Sequence, residues 1–89
     1  MCTTIANHAP VTGSGKGPQG WFRLDRVHVG YDHPFHAPLE HAVNIDFVDA
    51  TAGTRVAVEL SRDSARALVT QLLATLEQAD AYEGEIAPC

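Results

Sequence analysis

Positive charge is scarce and scattered in this sequence: Lys16, Arg23, Arg26, Arg55, Arg62 and Arg66 are the six basic residues, against eleven acidic ones and a formal charge of -5. A phosphate backbone is bound by a dense basic patch that releases counterions, so a nucleic-acid partner is not expected. Long hydrophobic runs are missing too. No stretch approaches the ~20 apolar residues of a membrane span, and Met1 to Val11 lacks the positive start and apolar run of a secretory signal. A cytoplasmic location and no membrane partner are the resulting expectations. Cysteine is limited to Cys2 and Cys89, far from any Cys-x-x-Cys spacing. Three readings of these thiols stay open: two free thiols in a reducing compartment, a bridge joining neighbouring termini, or a Cys2 thiolate on a metal. Gly15-Lys16 lacks the rest of a phosphate-binding loop, because Pro10 stands where its first glycine belongs and Gly17 where its hydroxyl residue belongs.

What is present suits one domain over residues 1–89, with 45% hydrophobic residues. A chain this short buries only roughly 60 to 65% of the surface it exposes unfolded, so a homodimer is expected to supplement a thin core. Residues 1–20, rich in Gly, Pro, Ser and Thr, read as an irregular arm. Trp21 to Tyr31 reads as a first strand, in which Val27, Val29 and Tyr31 alternate with Arg26, His28 and Gly30. Phe22 and Leu24 fall on the opposite phase, so the strand either starts near Arg26 or bulges at Asp25. Ala42 to Asp49 is a second strand, residues 50–53 a hairpin loop, and Arg55 to Leu60 a third strand.

Ser61 is placed to cap a helix. Ala65, Leu68, Val69, Leu72, Leu73 and Leu76 then form one apolar stripe at helical spacing. From Asp80 to Cys89 the tail reads as frayed. The predicted fold is α+β, a three-stranded antiparallel meander (β-β-β) followed by one C-terminal amphipathic helix packed on one sheet face. The other face should carry Arg26, His28, Asn44, Asp46 and Glu59.

The loop between the first two predicted strands, Asp32 to His41, holds two prolines and His33, His36, Glu40 and His41, three of the five histidines in the chain. Phe35 and Leu39 are expected to anchor it by packing inward. Imidazoles with a carboxylate bind zinc, iron or copper, so His33, His36 and His41 are expected as ligands of one transition metal ion, with Glu40 as a fourth ligand or general base. An up-down-up meander would set this loop beside Ser61, where free N–H groups at the helix start favour an anion. Two readings need no metal. In one, Asp46 orients His28 as a proton-transfer pair while Arg26 holds a small anionic substrate. In the other, the same face of a non-enzymatic dimer binds a ligand or partner, with the histidines sensing pH.

Gly13-Ser14-Gly15-Lys16-Gly17, Asp32 to Ala42 and Asn44-Ile45-Asp46-Phe47 resemble a family of small uncharacterised bacterial proteins over most of the chain. That resemblance implies no activity and assigns no catalytic residue.

Overall fold

The computed structural model describes residues 5–85, as four strands and a helix: β1 (Ile5–Gly17), β2 (Gly20–Asp32), β3 (Ala42–Asp49), β4 (Thr54–Leu60) and α1 (Arg62–Glu85). The strands form one antiparallel sheet in the order β1-β2-β3-β4. The expected α+β class and C-terminal helix are present, but the sheet has four strands rather than three.

The fourth strand comes from the segment read as an irregular arm. Its Gly, Ser and Pro content favours a loop locally, yet β2 supplies partners along its length, from Ile5↔Tyr31 to Gly17↔Gly20. Pro18 and Gln19 make the connecting turn, and Gly20 takes the positive φ of 109° that a side chain would resist. Neither expected alternative holds for β2, which starts at Gly20 and has no bulge at Asp25; the irregularity is on the neighbouring strand. Register shifts between Pro10, opposite Arg26, and Gly13, opposite Leu24, so the extra residue lies in β1. Strand β2 runs unbroken through Asp25, whose Oδ1 instead accepts the Ala50 N–H at 3.0 Å and ties down the β3–β4 loop. In that loop Asp49 Oδ1 accepts from the N–H groups of Thr51 and Ala52, and Gly53 closes it at φ 74°.

Cross-strand register sorts the side chains onto two faces. One face carries Val27, Val29, Ile45, Phe47, Val56 and Val58. The other carries the rows His8–His28–Asp46–Ala57 and Ala6–Gly30–Asn44–Glu59. The β1–β2 hairpin curls over this second face. Lys16, Gly17 and Pro18 at its tip share a cavity with Arg55, Val56 and Ala57, although β1 and β4 are the two edges of the sheet. Leu24 is buried inside the curl, against Gly15, where a Cβ would stand 3.2 Å from the leucine methyl.

Helix α1 begins as expected. The Ser61 hydroxyl accepts the Ser64 N–H at 3.1 Å, and its carbonyl accepts the first helical bond from Ala65. The helix continues to Glu85, past Asp80 where a frayed tail was expected. Its apolar stripe does not cover the sheet. Leu68, Val69, Leu72, Leu73 and Leu76 are each 42–63% exposed, and only the first turns meet β3 and β4 near Val43. Among the described residues Leu24 and Ala42 are the buried apolar side chains. No helix of the described residues is long and apolar enough to cross a membrane. Cys2 and Cys89 lie outside the described residues.

Candidate functional site

The loop from His33 to His41 is held over the polar sheet face by one carboxylate. Glu59, facing outward from β4 opposite Asn44, accepts the backbone N–H groups of Phe35 (2.5 Å), His36 (3.0 Å) and Ala37 (2.9 Å). Three successive amides converging on one side chain form an anion nest made of backbone. The N–H groups of Ala37 and Phe35 are the largest influences holding the Glu59 carboxyl below its ordinary value, and partial burial opposes them. Phe35 and Leu39, expected to anchor the loop by inward packing, do not: Phe35 is 97% and Leu39 40% exposed. Backbone donors bonded to a charged acceptor replace the apolar anchor.

Within the loop, His33 Nδ1 lies 2.9 Å from the Glu40 carbonyl oxygen, so the ring donates there in the tautomer protonated at Nδ1. The His33 ring stacks on His41 at 4.7 Å with planes 23° apart, and His41 stacks in turn on Tyr31 at 5.6 Å. Imidazole lone pairs lie in the ring plane, so nearly parallel stacked rings do not aim them at a common point. His36 is held by its backbone on Glu59, and the Glu40 side chain is exposed. Among the described residues no three histidine, cysteine, aspartate or glutamate side chains gather as a metal-holding group. The residues expected to be ligands therefore share a loop without converging in this arrangement.

The helix start is close by. Tyr31, Leu39 and His41 line a small cavity with Ser61, Arg62 and Asp63. Its electrostatics are partly satisfied from within the chain, because Asp63 occupies the first helical turn and Ser61 takes the Ser64 N–H.

Across the sheet, His28 and Asp46 are Cα partners, as a proton-transfer pair would require. Asp46 is engaged elsewhere: Arg55 Nε stands 3.1 Å from its Oδ1, near enough for charge attraction though off the line of a hydrogen bond. Arg26, expected to hold an anion, donates from Nη1 to His8 Nδ1 at 2.6 Å, and the His8 ring lies 5.9 Å from that of His28.

Between the pinned loop and the curled hairpin, the polar face is concave. A groove of about 760 Å³ runs past His33, His36, Asn44, Asp46, Arg55 and Glu59. A smaller cavity, about 250 Å³, adjoins it on the β1 side and shares Asp32, Asn44 and Asp46. Asn44 Oδ1 and Asp46 Oδ1 are shielded from water and accept no hydrogen bond. Sequence periodicity placed Asn44, Asp46 and Glu59 on one face. It gave no sign that Glu59 would hold a loop, or that Asn44 and Arg55 would line a groove.

The fold and site define a small antiparallel sheet-and-helix domain with a concave polar face roofed by a histidine-bearing loop. A family model described as "Family of unknown function (DUF6295)" matches residues 1–85, and the chain belongs to that family. No curated protein and no solved structure matches the chain.

Proposed function

We propose that the concave polar face binds a small ligand bearing N–H donors, such as an ammonium, amidinium or amide group. The observation that carries this reading is Asn44 Oδ1, an acceptor without a donor in the wall shared by the two cavities, beside Asp46 Oδ1, which has the charge of Arg55 at 3.1 Å but accepts no hydrogen bond. A buried acceptor without a donor costs about 1–3 kcal/mol, a cost that a donating ligand removes. The nearby guanidinium groups are already engaged within the chain, Arg26 with His8 and Arg55 with Asp46, so neither is held ready for an incoming anion. A small anion, the substrate class expected from Arg26, finds less to meet it here.

Calorimetric titration with ethylammonium, acetamidine and acetamide, against acetate and phosphate, tests the proposal. The donor probes should bind and the anions should not. Asp46→Ala and Asn44→Ala should each weaken donor binding at least about tenfold. Failure of all three donor probes, or equal binding by Asp46→Ala, would overturn it.

The transition-metal role of His33, His36 and His41 is a separate proposal, favoured by the contact between the His33 and His41 rings. It requires the stack to open, while the His33 Nδ1–H bond to the Glu40 carbonyl can stay and leave Nε2 as the ligating atom. Zinc and copper titration of untagged protein checks it, with His33→Ala and His41→Ala expected to abolish any uptake.

A further inference from the structure

Among the described residues only Leu24 and Ala42 are buried apolar side chains. The accessible surface of the chain is 7043 Å². A compact chain of this mass, 9.6 kDa, exposes about 5,100 Å², so roughly 1,900 Å² is in excess. The radius of gyration is 15.7 Å, where a compact domain of this length has about 12 Å. The exposed apolar side chains include a run along α1, Leu68, Val69, Leu72, Leu73 and Leu76, and Val58 on the apolar sheet face. Val69 of α1 and Val43 of β3 line one open cavity, which makes the two surfaces one continuous corner.

Ala65, Val69, Leu72, Leu76 and Ala79 are spaced by four, three, four and three residues, the repeat of a coiled-coil seam. Leu73 lies alongside at the centre, flanked at equal distance along that side by Arg66 and Asp80. If two such helices run antiparallel about a two-fold axis near Leu72 and Leu73, the seam meets itself. The same operation brings Arg66 of each copy to Asp80 of the other, at both ends. Within the chain Arg66 bonds Asp63 at 2.8 Å, but both side chains are largely exposed, so this weak pair leaves the guanidinium free to bridge outward.

We infer that the α1 stripe and adjoining sheet face dock a second copy of this chain, with the two α1 helices antiparallel. The self-complementary charge order selects a copy over an unrelated partner, as an isologous interface requires. The surplus surface exceeds the ~800 Å² per partner of a standard interface, in keeping with a pairing needed for folding. This inference is independent of what the polar groove binds.

Light scattering on a sizing column and sedimentation equilibrium test it on the full chain. The expected mass is about 19 kDa, twice 9.6 kDa, down to micromolar concentration, with a melting temperature that rises with protein concentration. Arg66→Asp should weaken association at least about tenfold by facing like charges across both ends, and adding Asp80→Arg should restore it. Swapping two exposed charges leaves the stripe intact, so loss and rescue report pairing rather than misfolding. A chain that stays monomeric at all concentrations overturns the inference. So does a dimer whose affinity is the same in wild type, Arg66→Asp and the double variant.

Discussion

Glu59 Oε1 accepts the Ala37 N–H at 2.9 Å, joining two residues 22 positions apart and fixing the histidine loop to the sheet edge. Glu59→Gln removes the charge but keeps the shape of this clamp. Backbone amides of Phe35, His36 and Ala37 should then exchange with solvent distinctly faster than in the wild type, while those of β2 and β3 stay protected. Amide exchange followed by NMR checks this. Unchanged exchange at all three residues would mean that the loop is held by something else.

The same carboxylate makes the loop sensitive to acid. Its folded-state value lies below the ordinary 4.5, because the amides favour the charged form. Its contribution is therefore present above about pH 4.5 and lost as pH falls through the depressed folded value. Stepwise acidification should release the Phe35, His36 and Ala37 amides in a transition that Glu59→Gln lacks. An identical acid profile in the two proteins would contradict the assignment.

Gly30 is required by close approach rather than by a turn. A Cβ there would lie 2.8 Å from the Ile5 carbonyl oxygen, which belongs to backbone and cannot swing aside. Gly30→Ala should push the end of β1 off β2 and destabilise by about 1–3 kcal/mol. Gly13→Ala, with nothing within 4 Å of its Cβ, should come close to neutral. Urea unfolding of the pair makes the comparison.

Leu24 and Leu72 should respond differently to truncation. Leu24 is 9% exposed inside the hairpin curl, so Leu24→Ala should cost about 2–5 kcal/mol through the cavity it leaves. Leu72 is 53% exposed on its own chain, so Leu72→Ala opens no cavity there, and its cost should appear as weaker self-association. Unfolding midpoints measured over a hundredfold range of protein concentration separate the two effects.

Much of the fold was legible because its signals are local. Alternation in Val27-Val29-Tyr31, Val43-Ile45-Phe47 and Val56-Val58-Leu60 reflects the two-residue period of a strand, and Ser61 before a three-and-four stripe reflects the geometry of one helix. The polar face followed from the same parity, which placed His28, Asn44, Asp46 and Glu59 together before any register was known.

What tertiary structure decided was in each case a partner. Residues 5–17 have loop-forming composition, and they are a strand only because β2 lies alongside to take their hydrogen bonds. The loop histidines are close in sequence, but whether their lone pairs converge depends on how Glu59, 22 to 24 residues away, grips the loop backbone. Periodicity says that one side of α1 is apolar. It does not say what surface meets that side, since a stripe looks the same whether its own sheet or another copy covers it.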